Sequence, residues 1–306
     1  MDIPFIVRNF TGLAMARCIE CAPALLPRLR QSNSPLKPFI ATRLRGHKLR
    51  QTVNLKLESF QMRLRLDDDI QRQIYLGLYE NDEIAQCRAL VRPGDTCIDV
   101  GANVGWFSLH FAAWVTDTGR VISCEADPAV AGELRENCRL NGFEERVTVV
   151  NQAMAAESGS VTFIRSAAEH SGWGSAMQQP GNVGGEQIQL PATTLDELAG
   201  TQQANDIALL KIDVEGFEFE VLAGGAKTLR NGNVRNVLIE WCGAGHSTRG
   251  KSIDEFAAIF VAAGFEPSVQ TAELLGNFRD GRQDPRTAFA NLLYYRRRHH
   301  AEVRAS

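Results

Sequence analysis

The stretch Asp99-Val100-Gly101-Ala102-Asn103-Val104-Gly105 decides the fold of this 306-residue chain. It follows a short apolar run that is typical of a buried strand, and it precedes an apolar segment of helical length that starts at Trp106. Its glycines allow the backbone to turn sharply and to approach a ligand closely, and the following helix offers unpaired N–H groups. We therefore predict a ligand-binding turn between a parallel strand and its crossover helix.

Short apolar runs recur on both sides of this turn, and a segment of helical length follows most of them, as a parallel sheet requires. The predicted strands are 96–100, 120–124, 147–151, 208–212 and 234–241, and the predicted helices are 106–115, 129–141, 217–222 and 253–263. Residues 266–271 and 288–296 are predicted to close the sheet as an antiparallel pair. The pattern indicates one doubly wound α/β domain over residues 67–298, followed by a tail at 299–306.

The segment before this domain, residues 1–66, differs from the rest in charge. It holds 12 Lys and Arg against three acidic residues, a balance of +9, whereas the remainder of the chain carries −12. Its apolar spacing predicts a helical extension over 6–29 and a β-hairpin over 52–66, and Asp67-Asp68-Asp69 then offers a helix start. Two interpretations stay open for the basic segment: a solvated face, or a peripheral contact with an anionic membrane surface.

Composition excludes several classes of protein. No apolar stretch approaches the ~18 residues of a membrane span, and the first residues lack the pattern of a signal peptide. The seven scattered cysteines argue against a disulfide framework, and the pair Cys18 and Cys21 is interpreted as helix packing rather than a metal or redox site. We expect a cytoplasmic protein, membrane-peripheral at most, without a nucleic-acid partner; the oligomeric state does not follow from the sequence.

An acidic residue at the end of the second strand bears on the cofactor. Glu125 lies twenty residues beyond Gly105, where a carboxylate can accept hydrogen bonds from both hydroxyls of a ribose. A dinucleotide fold requires a middle glycine where Asn103 stands, and Asp99 opposes phosphate but suits the ammonium group of a methionine moiety. The residues favour S-adenosylmethionine. A nicotinamide-dependent oxidoreductase and a non-catalytic or membrane-associated binding protein that retains the fold are the alternatives.

From about residue 77 to 241 the sequence resembles the FkbM family of S-adenosylmethionine-dependent O-methyltransferases. Besides the turn at 99–105, the matching motifs are Gly77-Leu78-Tyr79-Glu80, Pro93-Gly94-Asp95-Thr96, Glu125-Ala126-Asp127-Pro128, Thr194-Leu195-Asp196, Leu210-Lys211-Ile212-Asp213-Val214-Glu215-Gly216 and Ile239-Glu240. The resemblance implies a class I methyltransferase (Rossmann-like) fold, with seven strands in the order 3-2-1-4-5-7-6 and the last-placed strand antiparallel. It also implies methyl transfer to a hydroxyl of a sugar, a glycolipid or a polyketide-like natural product.

The resemblance also assigns the cofactor site. It places the methionine moiety on the turn at Asp99, Gly101, Ala102, Asn103 and Gly105 and the ribose at Glu125. The adenine falls at Asn151-Gln152-Ala153, where the acidic residue common in many methyltransferases is absent. The remaining members of the predicted cofactor-binding set are Glu80, Ala126 and Asp213.

Acidic residues after the fourth and fifth strands supply the predicted chemistry. Asp213, Glu215 and Glu240 fall at the sheet edge where doubly wound proteins bind ligands, and a carboxylate or imidazole there can take the proton of an acceptor hydroxyl. His246 and His170 are the candidate imidazoles. The carboxylates fit either a general base with substrate-binding partners or a divalent-cation site, and we favour the metal-free interpretation.

Three further positions have a structural and a functional interpretation. Glu215 is either catalytic or a cap for the next helix, and Lys211 is expected to pair with one of the acids. Trp173 and Trp241 either stack on a sugar face or pack in the interior. The Gly-rich segment 172–185 is predicted to be a long loop over the site.

Overall fold

The computed structural model describes residues 30, 37–44, 49, 51–165 and 186–297. Several predictions concern residues outside these ranges, and they stay predictions. They are the helix over 6–29, the cysteine pair at 18 and 21, His170, Trp173, the loop over 172–185 and the tail at 299–306.

The first described elements lie before the predicted domain and at its start. They are helix α1 (Lys37–Leu44), strands β1 (Thr52–Lys56) and β2 (Gln61–Arg65), and helices α2 (Asp69–Leu76) and α3 (Asn81–Leu90). The two strands pair antiparallel, so the predicted hairpin is confirmed. Helix α2 begins where the three aspartates predicted a start, because the side chain of Asp68 accepts a hydrogen bond from Gln71 N at 2.9 Å.

The rest of the described chain alternates strands and helices. In order they are β3 (Thr96–Val100), α4 (Trp106–Val115), β4 (Arg120–Cys124), α5 (Pro128–Leu140), β5 (Val147–Val150), β6 (Ala153–Met154), β7 (Gly159–Arg165), β8 (Glu186–Thr193), α6 (Leu195–Thr201), β9 (Ile207–Ile212), α7 (Glu218–Gly224), α8 (Ala226–Arg230), β10 (Val234–Cys242), α9 (Gly243–Ser247), α10 (Ile253–Ala262), β11 (Phe265–Pro267), α11 (Val269–Arg279) and β12 (Phe289–Arg296).

Seven of these strands form one sheet in the order β11-β12-β10-β9-β3-β4-β5. The five strands from β10 to β5 pair in parallel, and β12 runs antiparallel to both of its neighbours. Numbered along the chain and taken from the opposite edge, this is the order 3-2-1-4-5-7-6 that the resemblance implies. The five predicted parallel strands are confirmed, each to within one residue at its ends, because strands buried on both faces are continuous apolar runs.

Two parts of the fold differ from the predictions. A separate three-stranded sheet, β6-β8-β7, was not predicted, because β8 is largely exposed and has too few apolar residues to stand out from a loop. The predicted strand over 266–271 is wrong beyond Pro267. The Ser268 side chain accepts a hydrogen bond from Thr271 N at 3.1 Å and so caps α11.

The hairpin shares the apolar core of the sheet. Leu55, Met62 and Leu64 are buried in the cluster that also contains Phe107 and Leu134. Two asparagines of α5 hold the hairpin by its backbone. The Oδ1 atom of Asn137 accepts a hydrogen bond from Arg63 N at 2.7 Å, and that of Asn141 accepts one from Gln61 N at 2.8 Å. The second strand of the hairpin is therefore tied at two points to the helix that follows β4 and to its C-cap.

The described helices and cysteines bear on a membrane or redox role. Among the described helices, none combines the length and the apolarity needed to cross a membrane. The five cysteines in the described part of the chain are buried and free, as expected for cysteines that act as small apolar side chains.

Candidate active site

A cleft of about 910 Å³, measured with the solvent-filled space at its mouth, opens where β3, β4 and β9 end. The predicted cofactor residues Gly101, Ala102, Asn103, Glu125, Ala126, Gln152, Ala153 and Asp213 line it, as does the predicted catalytic residue Glu215. Sequence patterns did not predict the rest of the wall, which is mainly apolar: Ile70, Ile74, Tyr79, Val100, Val104, Trp106, Phe107, Cys124, Met154, Phe163, Lys211, Val214 and Phe217.

The glycine turn presses directly against the end of β9. Gly101 has a φ of +80°, and a Cβ atom at this position would overlap the carbonyl oxygen of Asp213. The N–H groups of Gly101 and Ala102 both donate to the carbonyl oxygen of Cys124, at 2.9 and 3.0 Å. The turn thus holds the ends of β3, β4 and β9 together and leaves its own outer face on the cleft.

Gly105 has a packing role at the start of α4. It does not line the cleft; it lies at the N-cap of α4 with a φ of +99°, and a Cβ atom there would lie 2.6 Å from the Leu134 side chain. Binding of the cofactor by Gly105 stays a prediction, and the structure adds a packing role that the sequence did not show. A glycine is needed here so that α4 and α5 can pack closely.

Glu125 is held in place by the backbone around it. Its Oε2 atom accepts a hydrogen bond from Asn103 N at 2.9 Å, and its Oε1 atom accepts one from Asp127 N at 2.9 Å. Burial raises the pKa of Glu125 to about 7, although these two hydrogen bonds oppose the rise. Each oxygen keeps a second lone pair, so the carboxylate is oriented to accept hydrogen bonds from two neighbouring hydroxyl groups of a ligand.

Asp99 lies beneath the cleft instead of facing it. Its side chain is fully buried, and its Oδ2 atom accepts a hydrogen bond from Ser108 Oγ at 2.6 Å. The side chain thus points from β3 towards α4, and a direct pairing of Asp99 with a ligand ammonium group stays a prediction. Burial raises the pKa of Asp99, while the Lys211 ammonium and the Ser108 hydroxyl lower it.

Lys211 forms the ion pair that was expected of it. Its Nζ atom lies 2.9 Å from Asp213 Oδ2 and 3.9 Å from Asp99 Oδ1, and only 4% of the residue is exposed. Burial lowers the pKa of Lys211, but Asp213, Asp99 and Glu80 together raise it above its ordinary value. A lysine with these neighbours stays charged inside the protein.

Carboxylates gather at this end of the cleft. Asp213, Glu218 and Glu240 each have a ligand atom within 4.8 Å of the others. Burial first, and then repulsion by Asp213, raises the pKa of Glu80 to about 8 and raises those of Glu215 and Glu240 well above their ordinary value. The Oε2 atoms of Glu80 and Glu240 are buried without a hydrogen-bond partner in the described ranges. Neither residue lines the cleft wall itself.

His246 lies away from the cleft. It is fully buried, its Nε2 atom is 3.0 Å from Glu218 Oε2, and the rings of Trp241 and Phe256 lie 4.6 and 5.7 Å from its own. His246 is thus enclosed by Glu218 and aromatic rings, and its role in taking a proton from the acceptor stays a prediction. Trp241 is buried as well and donates to Pro285 O at 2.8 Å, so it packs and does not stack on a sugar.

Glu218 performs the local role that was considered for Glu215. Its Oε1 atom accepts hydrogen bonds from Val214 N at 3.0 Å and Gly216 N at 3.2 Å, and it closes the tight turn before α7. Phe217 occupies the N-cap of α7 without a side-chain cap, so capping by Glu215 is not observed. Glu215 instead has a left-handed backbone, with a φ of +53°, and lines the cleft.

The architecture and the cleft together define the class of protein. The sheet has the strand order of class I methyltransferases, whose methyl donor is S-adenosylmethionine. The cleft also fits this donor. The backbone of the glycine turn lines the cleft, and Glu125 is oriented to accept hydrogen bonds from two hydroxyl groups of a ligand. The aromatic rings of Phe163 and Phe217 line the same cleft as Gln152.

Comparison with known proteins identifies the family. A model described as the methyltransferase FkbM domain matches residues 99–267, more than half of the chain. The chain belongs to the FkbM methyltransferase family, and the predicted resemblance is confirmed.

Solved structures of methyltransferases match this chain at low sequence identity. Methyltransferase FkbM from Methylobacillus flagellatus KT is 14% identical, with a TM-score of 0.41; the match covers 92% of this chain and 60% of that protein. Aeropyrum pernix fibrillarin with natively bound S-adenosyl-L-methionine is 12% identical, at 69% and 73% coverage and a TM-score of 0.39. An Aquifex aeolicus S-adenosylmethionine-dependent methyltransferase is 14% identical, at 61% and 81% coverage and a TM-score of 0.37.

Proposed function

We propose that this methyltransferase acts on a hydroxyl group of a sugar, a glycolipid or a polyketide-like natural product. The observation that carries the proposal is the group of carboxyl groups at one end of the cleft: Asp213 and Glu215 line its wall, and Glu80 and Glu240 are close enough to Asp213 for its charge to raise their pKa. Hydroxyl groups of an acceptor would donate hydrogen bonds to the carboxyl oxygens on the wall. An acceptor with several hydroxyl groups suits several carboxyl groups best.

The bound donor would supply a methyl group that its sulfonium already activates for displacement. The glycine turn at Gly101 would hold the methionine moiety, Glu125 the ribose hydroxyls, and Gln152 with Ala153 the adenine. Trp106, Phe107 and Tyr79 line the same cleft and exclude water from it. Alignment and exclusion of water supply much of the rate of such a displacement.

Of the acidic residues, Glu215 is the best candidate for the group that takes the acceptor's proton. It lines the cleft, and burial and repulsion by Asp213 raise its pKa, which makes its ionised form a stronger base. Asp213 also lines the cleft, but its carboxylate is already engaged in an ion pair with Lys211 Nζ at 2.9 Å. We therefore assign Asp213 and Glu240 to binding of the acceptor and metal-free proton transfer to Glu215.

Calorimetric titration with S-adenosylhomocysteine tests the donor half of the proposal. We expect micromolar binding by the wild type and by Asp254→Asn, a control on an exposed ion pair with Arg279. No binding by a folded wild type would favour a non-catalytic binding protein, and tight binding of a nicotinamide dinucleotide instead would favour the oxidoreductase alternative.

A screen of hydroxylated sugars and glycolipids with methyl-labelled donor then tests the acceptor. With an acceptor in hand, Glu215→Gln should lower kcat by about 10²- to 10⁴-fold, the range for loss of a general base, while the affinity for S-adenosylhomocysteine changes little. Labelling of an amine rather than a hydroxyl, or full activity of Glu215→Gln, would contradict the proposal.

The basic segment at residues 1–66 supports a second part of the proposal. Its balance of +9 would draw the enzyme to the anionic cytoplasmic face of a membrane, where lipid-linked sugars are presented. Flotation should show binding to anionic vesicles at about 50 mM salt and release at about 500 mM salt. Equal flotation with neutral vesicles, or none with anionic vesicles, would show that the basic segment does not bind anionic membranes.

A further inference from the structure

A row of polar residues leads to the wall of the cleft. It consists of Asp99, Lys211 and Asp213, and Ser108 and Ser123 extend it into the interior. The strand register places Asp99 of β3 beside Ser123 of β4 on one side and beside Lys211 of β9 on the other. Ser123 Oγ donates to Ser108 Oγ at 2.7 Å, and Ser108 Oγ donates to Asp99 Oδ2 at 2.6 Å. Lys211 continues the row to Asp213, 2.9 Å away. The row thus runs from the buried interior to the cleft wall.

The charges of this row are unbalanced. Two carboxylates, Asp99 and Asp213, share one ammonium group, and the Lys211 Nζ atom also lies 4.8 Å from the centre of the Phe107 ring. The row therefore carries one net negative charge when both carboxylates are ionised. The Asp213 side chain is the part that reaches solvent, with 12% of it exposed, whereas that of Asp99 is fully enclosed. The excess charge faces the cleft at Asp213.

The other acids near this point have raised pKa values. Burial, followed by repulsion from Asp213, raises the pKa of Glu80 to about 8 and raises those of Glu215 and Glu240 well above their ordinary value. Asp213 differs from them by its direct contact with an ammonium group. Its backbone is packed against Gly101, so Asp213 lies at the glycine turn, and both residues line the cleft.

We propose that the Asp99–Lys211–Asp213 row makes the cleft distinguish the positively charged methyl donor from its product, whose sulfur is uncharged. Asp213 provides the negative charge, and Lys211, which lies between Asp99 and Asp213, holds the Asp213 carboxylate in place. The donor is favoured by attraction to its sulfonium, and the product, which lacks that charge, is released more readily. This inference rests on S-adenosylmethionine as the donor and not on the proposed acceptor.

Calorimetry with S-adenosylmethionine and S-adenosylhomocysteine, each titrated without acceptor, measures this discrimination directly. The quantity compared is the ratio of the two dissociation constants, product over donor. Asp213→Asn keeps the size of the side chain and removes its charge, so we expect the ratio to fall about tenfold, the order that Coulomb's law gives for unit charges several ångströms apart in partly solvated surroundings. Asp213→Glu keeps the charge and should keep the ratio within about threefold.

The exposed Asp254→Asn variant serves as the matched control and should leave both constants unchanged. A purely structural role of Asp213 would weaken both ligands by the same factor in Asp213→Asn, and this result would overturn the inference, as would an equal loss of the ratio in Asp213→Glu. A wild type that binds the product tightly but shows no preference for the donor would refute it while leaving the methyltransferase assignment intact. A wild type that binds neither compound would overturn both.

Discussion

The two halves of the cleft are built in different ways. The donor half consists of the turn at 99–105 and Glu125, where two backbone N–H groups hold one carboxylate at 2.9 Å each. The acidic half brings Glu80, Asp213, Glu215, Glu218 and Glu240 together from three distant parts of the chain, and one lysine contacts Asp213. The donor half relies on fixed backbone, and the acidic half relies on a balance of buried charge. Substitutions should therefore act by shape in the first and by electrostatics in the second.

Gly101→Ala should have the largest effect, because it breaks the donor half by shape. The new methyl group would overlap the carbonyl oxygen of Asp213 at a φ of +80°, so we expect a loss of about 4 kcal/mol in the free energy of unfolding and no detectable binding of S-adenosylhomocysteine. Urea unfolding and calorimetry measure the two. Gly132→Ala on α5, where a Cβ atom meets nothing within 4 Å, is the control and should be neutral or slightly stabilising. If Gly101→Ala and Gly132→Ala lost similar free energy of unfolding and similar affinity, the close approach of Gly101 to Asp213 would not be the cause.

Lys211→Met should have the next largest effect, because it breaks the acidic half by charge. It leaves Asp99, which is fully buried, without the ammonium group 3.9 Å away. We expect urea unfolding to show a loss of about 3 kcal/mol, the range for removal of one partner of a buried ion pair. Lys227→Met, at an exposed position on α8, should change the free energy of unfolding by less than about 0.5 kcal/mol. If Lys211→Met lost no more free energy of unfolding than Lys227→Met, the Lys211 ammonium would not be needed to balance the buried charge of Asp99.

Glu125→Gln sharpens the comparison within the donor half. The amide cannot accept hydrogen bonds at both of its terminal atoms, so we expect the affinity for S-adenosylhomocysteine to fall about 100-fold, or ~2.7 kcal/mol. Calorimetry measures this, and the thermal stability of the apo protein reports whether the fold survives. If affinity fell by less than about threefold, Glu125 would not hold the ribose.

The smallest effect concerns pH and belongs to the acidic half. Burial and Asp213 raise the pKa of Glu80 from 4.5 to about 8 in the folded protein, so the folded state holds this proton more tightly than the unfolded state does. The resulting stability is fully present below about pH 4.5 and is lost as the pH rises through about 8. We expect the free energy of unfolding to fall by about 2 kcal/mol between about pH 6 and about pH 8.5.

Urea unfolding of the wild type and of Glu80→Gln at the two pH values checks this prediction. The variant cannot ionise at this position and should show a flatter dependence on pH. A wild type that gains stability towards pH 8.5, or a variant with the same slope as the wild type, would show that Glu80 is ionised in the folded protein.

The contrast between the two halves also explains what the local sequence could show. The parallel strands, the turn and the place of Glu125 at the end of a strand follow from local patterns, because a strand, a tight turn and a helix start are each encoded within a few neighbouring residues. The surroundings of Asp99, Gly105 and His246 could not be predicted in this way. Local sequence does not show that Asp99 faces Ser108, that Gly105 faces Leu134 or that His246 lies among aromatic rings.

The sequence by itself determined the parallel strands and the glycine turn, because these depend on residue type and on spacing along the chain, and its resemblance to the FkbM family implied the order of the sheet. The tertiary structure alone decided which carboxylates meet, and how a single lysine is divided between Asp99 and Asp213. The physical reason is that strand register and burial, neither of which has a local signal, set the distances and the surroundings on which buried charges depend.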